Sequence, residues 1–259
     1  MKTKLAIIKT FILIVIFSVT VFFACLINAS IEFLCVEKEI KEFVERGEFY
    51  IEIGNTKYYK VSKKYEYEDV SKHIYSTTDP KKYVGSTADI LSTTRNPLSS
   101  VPFIGFFSRI AWVGHSALIM ESDGSKICEV VGNEPDPKDN FVRIVDNRWI
   151  SGDTGSPHIV ALRVKNLDDE DKTKITDYAT LQAQEQDRYN FFFPITQTNK
   201  YYCTDLVSRS INQASININY DGFMTTGNDM ILSKHTYIIF YRVKVDDKFL
   251  VYYLTDEVY

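Results

Sequence analysis

The chain has 259 residues, 45% of them hydrophobic and 14% aromatic, enough apolar mass for one compact domain with a small appended element and too little for two full domains. Thirty Lys and Arg stand against 34 Asp and Glu, a formal net charge of -4. No long basic run gathers to meet a phosphate backbone, which excludes nucleic acid as an expected partner. Four cysteines in a chain of this length do not make a disulfide scaffold.

The sharpest compositional break is at the N-terminus. Lys2, Lys4 and Lys9 precede residues 11–27, an uncharged run of 17 residues. Extended to Ala29 or Ile31, the run approaches the roughly 20 residues that cross hydrocarbon, so residues 1–31 are expected to form a transmembrane anchor. A cleaved signal sequence shares the positive start and apolar middle, with Ile27-Asn28-Ala29 as a weak cleavage site, and would leave the protein secreted. Lysines before the run and Glu32, Glu37 and Glu39 after it orient the N-terminus inside and the bulk of the chain on the extracytoplasmic side. Lipid attachment at Cys25 is disfavoured, because Phe22-Phe23-Ala24 is a poor small-residue context.

Residues 32–82 read as a juxtamembrane helix and hairpin. Ile40 and Val44 lie at helical spacing in VEKEIKEFVER, with Gly47 as the stop. FYIEIGNTKYYKVS makes two strands around Gly54-Asn55. Residues 63–83 show no period and read as a connection. The main domain, 83–259, starts with a short strand at ADILST (88–93), followed by a loop marked by Asn96-Pro97 and Ser99-Ser100. AWVGHSALIM and KICEVV form a hairpin around ESDGS. IVALRV (159–164) is another strand, residues 167–188 read as a solvated helix, and residues 203–214 place Leu206, Val207 and Ile211 on one helical face. HTYIIFYRV and KFLVYYL close the chain as strands around Asp246-Asp247, giving an α+β pattern with no internal repeat.

The ESDGS turn decides which side chains share a face. A three-residue loop at Ser122-Asp123-Gly124, with Gly124 in the left-handed position, pairs Glu121 with Ser125. Ile119 then faces Ile127, Ala117 faces Glu129, and His115 lies one diagonal step from Glu129 on the same face. A two-residue Asp123-Gly124 turn would shift the register by one and send Glu129 to the other face. A histidine held by a carboxylate keeps one ring nitrogen free to take a proton from a nucleophile. Cys203 supplies the candidate: it opens a helix, where amide N–H groups and the positive end of the dipole favour a thiolate and its own N–H can hold an oxyanion.

These residues resemble the YiiX/YebB-like hydrolases, a circularly permuted branch of the NlpC-type, papain-like cysteine peptidases. The matching pieces are ADIL at 88–91, GHSALI at 114–119, Glu129 fourteen residues after His115, and YYCTDLVSRS at 201–210. His115 precedes Cys203, the order of the permuted branch, and the likeness spans roughly 83–241. It departs from the family where Thr204-Asp205 replaces the Ser-Glu often found after the cysteine, and where Gly85 stands four positions before Asp89. The resemblance implies a circularly permuted papain-like α+β fold, an antiparallel sheet packed against the nucleophile's helix. It also implies Cys203 as nucleophile, His115 as base, Glu129 as the orienting residue, no cofactor, and peptide, peptidoglycan or lipid-linked amides or esters as substrates.

Blander readings stand beside this one. A lone strand histidine is usually structural, a lone cysteine is usually a buried apolar group, and Glu129 alone would pass for a solvent-facing residue. His73, His158 and His235 are rival bases, none with a carboxylate at a comparable same-face position. Zinc on Cys128, Cys203 and His115 lacks the close ligand pairs that metal sites show, so no metal is expected. Cys128 reads as a free buried thiol, although pairing with Cys35 stays open. The aromatic segment 101–112 is core or an apolar lip beside His115. An acyltransferase and an inert binding module of the same fold remain the alternatives to hydrolysis.

Overall fold

The structure is a computed structural model that describes residues 2–78, 83–94, 114–151, 158–193, 196–222 and 224–256, with side chains from residue 8 onward. The aromatic segment 101–112 and the loop expected at 96–100 lie outside the described residues. Helix α1 (Lys2–Glu45) runs unbroken for 44 residues. Its apolar half, with mean hydropathy 2.9, has no part buried against the rest of the molecule and is long and apolar enough to cross a membrane. The separate helix expected at 36–46 is the last part of α1, because nothing between 27 and 36 breaks the helix. Val36, Ile40 and Phe43 are buried there at helical spacing.

Strands β1 (Gly47–Ile53) and β2 (Thr56–Ser62) form the expected hairpin around Gly54-Asn55. They are followed by β3 (Ile90–Thr93), β4 (His115–Ile119), β5 (Lys126–Val130), β6 (Val142–Asp146) and β7 (His158–Val164). Helix α2 (Asp169–Gln184) starts at an Asp168 cap whose carboxylate accepts the Asp171 N–H. A small parallel pair, β8 (Arg188–Tyr189) with β9 (Lys200–Tyr201), leads into α3 (Cys203–Ile211), whose continuation over Asn212–Ala214 is 3-10. Helix α4 (Gly227–Leu232) and strands β10 (Thr236–Val245) and β11 (Lys248–Thr255) close the chain.

Nine strands make one sheet in the order β1-β2-β11-β10-β7-β3-β4-β5-β6. The expected all-antiparallel sheet is corrected to a mixed one, since β2 runs parallel to β11. The physical reason is the hairpin after α1: it adds to the free edge of β11 and supplies main-chain partners where an edge would otherwise face solvent. Every residue of β3 is buried, as are all but the first of β4 and β7, so the centre of the sheet reads as near-continuous apolar sequence. Helices α2 and α3 pack against β4, β5 and β6. Across the sheet, the Arg163 guanidinium grips Asp89 through Nε at 2.9 Å and Nη2 at 2.7 Å, and donates to the carbonyls of Asp69 and His73 at 2.6 and 3.0 Å. That cation pins the irregular connection after β2, which has no period because its order comes from side-chain anchoring.

Candidate active site

The β4–β5 hairpin has the register expected from a three-residue turn. Leu118 pairs with Cys128 and Ile119 with Ile127, the Gly124 N–H donates to the Glu121 carbonyl at 3.0 Å, and Gly124 adopts φ +75. His115 and Glu129 therefore share a face, and His115 Nε2 lies 2.8 Å from Glu129 Oε2. Cys203 stands close enough to His115 to be the largest influence raising its pKa. With Nε2 engaged by Glu129, Nδ1 is the ring nitrogen available to the thiol. The three sequence-nominated residues are thus brought together from β4, β5 and the start of α3.

Burial works against a charged His115, but Cys203 and then Glu129, which accepts from the ring, outweigh it and raise its pKa to about 9. Glu129 moves the opposite way: burial pushes its carboxyl up, and His115 and then Arg143 more than offset that, holding it below the usual carboxylate range. Arg143 is a residue that the sequence reading missed. It faces Glu129 across the β5–β6 ladder and donates to Oε1 through Nε at 3.1 Å and Nη2 at 3.0 Å, while Nη1 reaches Glu134 at 2.7 Å. The signal lay in VRIVD, a second alternating strand that would have placed Arg143 opposite Glu129. Trp149, also missed, stacks on His115 at 5.6 Å between ring centroids. A cavity of about 740 Å³ opens beside His115, lined by Thr93, Ile127, Glu129, Arg143 and Trp149 among others.

Cys203 is the first residue of α3 and is half-buried. Tyr202, the N-cap, is extended and makes no side-chain cap, and the hydrogen-bond ladder starts with Leu206 N–H on the Tyr202 carbonyl. The amides of Cys203, Thr204 and Asp205 precede that first bond, so they point towards the thiol end of the helix. Asp205 in this turn is countered by Arg209 at 3.4 Å. Behind the site, Tyr189 packs against Gly132, where a Cβ would lie 2.6 Å from the ring.

Of the rival bases, His158 lies between Thr94 Oγ1 at 3.2 Å and the Tyr241 hydroxyl at 3.0 Å, and His73 faces the Tyr83 carbonyl at 3.2 Å. Neither meets a carboxylate in these contacts. Cys128 is fully buried and donates weakly to the Ala179 carbonyl at 3.6 Å, and burial pushes its thiol up to about 12. Cys35 is exposed and both are free thiols. Among the described residues, the one group of three potential metal ligands within 4.8 Å is Glu32, Asp221 and Asp229, away from His115. No protein-family model, no curated protein and no solved structure matches the chain.

Proposed function

We propose that the chain is a membrane-anchored cysteine hydrolase of the permuted NlpC-type, papain-like kind, with Cys203 as nucleophile, His115 as acid and base, and Glu129 as the residue that orients the imidazole. The observation that carries this reading is the position of His115, hydrogen-bonded to Glu129 at 2.8 Å and near enough to Cys203 for the thiol to raise its pKa. A raised histidine pKa beside a thiol supports an imidazolium ready to protonate a leaving group. The order of His115 on a strand before Cys203 on a helix supports the permuted family.

In the reaction, the Cys203 thiolate attacks the carbonyl carbon of an amide or ester and forms a carbon–sulfur bond. The amide at the start of α3 receives the developing oxyanion. His115 gives its proton to the departing amine or alcohol as the tetrahedral adduct collapses to a thioester. The neutral imidazole then takes a proton from water, whose oxygen attacks the thioester and releases the acid and the thiolate. Glu129 fixes which ring nitrogen faces the sulfur and favours the imidazolium, and Arg143 holds Glu129. Peptide, peptidoglycan and lipid-linked amides or esters are the substrate classes, and α1 holds the domain at an extracytoplasmic membrane surface.

Intact mass after incubation with pooled peptidoglycan fragments and phospholipids tests the reading, comparing the unsubstituted protein with Cys203→Ala. An acyl adduct on the former alone is expected, and its mass names the substrate class. Equal turnover by both proteins would remove the mechanism. Adding amine or alcohol acceptors separates hydrolysis from acyl transfer, and a thiol reagent that labels Cys25 and Cys35 but never Cys203 would favour the inert module.

A further inference from the structure

Three consecutive phenylalanines, Phe191, Phe192 and Phe193, stand 59%, 68% and 39% exposed. They are held in place: the Phe192 N–H donates to Asn190 Oδ1 at 2.9 Å, and Asn190, fully buried, donates its own N–H to the Tyr201 carbonyl at 2.8 Å. Phe191 packs on Tyr189 at 4.9 Å, and Phe193 meets Tyr202, the neighbour of Cys203, edge-on at 5.5 Å. An ordered apolar projection of this kind is costly in water unless something covers it.

What covers it follows from where α1 leaves hydrocarbon. Between Lys9 and Glu37 the only charged residue is Glu32, and Ile27, Ile31 and Leu34 are all well exposed, so the exit lies around residues 28–34. The domain meets the helix at that level. Asn28 donates to Asp221 Oδ2 at 3.4 Å, and Glu32 clusters with Asp221 and Asp229. Asp229 closes the capping box of α4 with Thr226, and the neighbouring Thr225 carbonyl accepts the Thr204 hydroxyl at 2.6 Å. Thr204 follows Cys203. A short chain of direct contacts therefore links the membrane exit of α1 to the helix start beside which the phenylalanines project.

We infer that Phe191, Phe192 and Phe193 are a second membrane contact, seated in the headgroup region of the bilayer that α1 enters, with Tyr189 and Tyr202 beneath them. Aromatic residues at that depth keep their apolar rings in the upper acyl region while polar neighbours stay wet. The inference rests on α1 being a retained anchor and is independent of the chemistry assigned to Cys203.

The test uses the full chain in phosphatidylcholine vesicles, with Phe192→Trp read as the difference from the unsubstituted protein. Lipid brominated near the headgroup end of the acyl chain should reduce the added emission about twofold, and aqueous iodide should leave it nearly unchanged. A carbonate wash separates the two premises. Protein that resists the wash, yet whose added tryptophan is quenched by iodide and not by bromolipid, overturns this inference and leaves the anchor standing. Release of the protein by carbonate overturns both.

Discussion

Glu129 and Arg143 face each other across the β5–β6 ladder, and the guanidinium grips with Nε and Nη2 the same carboxylate whose other oxygen holds His115. The carboxylate is thereby fixed in position and charge before it touches the imidazole. For the proposed hydrolysis, Arg143→Met is expected to lower the acylation rate by up to about 10²-fold, through loss of positioning of His115. Arg143→Lys should recover only part of it, since an ammonium supplies the charge without the two-toothed fork. A merely structural role would lower stability without moving the histidine, so the deciding readout is the pH titration of His115 followed by NMR, where Arg143→Met must shift the midpoint.

The pH dependence of stability has a definite sign. His115 titrates at about 9 when folded against an ordinary value of 6.5, so the folded state holds its proton more tightly than the unfolded chain. The stabilisation is full below about 6.5 and is lost as pH rises through about 9, on the order of 3 kcal/mol in all. Glu129 behaves oppositely: its lowered pKa stabilises the fold above the ordinary carboxylate range, and that contribution is lost on acidification. Because Cys203 is the largest of the raising influences on His115, Cys203→Ala should bring its midpoint down from about 9. It should also flatten the loss of stability between 6.5 and 9 in urea denaturation. An unchanged midpoint would mean that the thiol and the ring do not interact.

How much of this was legible in the sequence depends on whether the cause was local. The hairpin at Ser122 to Gly124 was legible because a left-handed glycine and strict alternation fix a register within a dozen residues, and that register alone places His115 beside Glu129. Cys203 at a helix start was legible for the same reason. Arg143 was not, because its meaning comes from a third strand twelve residues beyond Val131, reached through a stretch with no apolar period. The parallel pairing of β2 with β11 was hidden still further, since it joins residues 56–62 to 249–255, and nothing in either segment states the orientation of its neighbour. The continuity of α1 through Asn28 and Ser30 was obscured by small polar residues that look like a break. Their side chains instead bond within the helix and to Asp221.

The Asp89–Arg163 pair predicts a loss of stability rather than of chemistry. Both side chains are nearly fully buried, and Arg163 also satisfies the carbonyls of Asp69 and His73. Asp89→Ala leaves a buried cation without its partner and should cost about 3–5 kcal/mol. The double substitution Asp89→Ala with Arg163→Met should cost less than the sum of the two single changes, because it leaves no uncompensated charge. Chemical denaturation of all four proteins checks this, and strict additivity would show that the two groups act independently.

Gly124 sets the hairpin register and so the meeting of His115 with Glu129. Its φ is +75, and a Cβ there would lie 2.7 Å from the Gly85 carbonyl oxygen and 2.8 Å from that of Val84. Gly124→Ala therefore carries both left-handed strain and a clash with fixed backbone, and should destabilise by more than about 1 kcal/mol. Gly54 provides the comparison: its φ is +60 with nothing within 4 Å, so Gly54→Ala bears the strain alone and should cost about 1 kcal/mol. The difference between them isolates the close approach of the β4–β5 turn to the segment before β3. Should Gly124→Ala relieve its clash by moving the turn, Glu129 drifts from His115. The rate at which a soluble alkylating reagent labels Cys203 then falls together with stability, whereas Gly54→Ala leaves that rate untouched. Equal losses of stability in the two variants, with labelling of Cys203 unaffected in both, would show that the turn at Gly124 does not position the site.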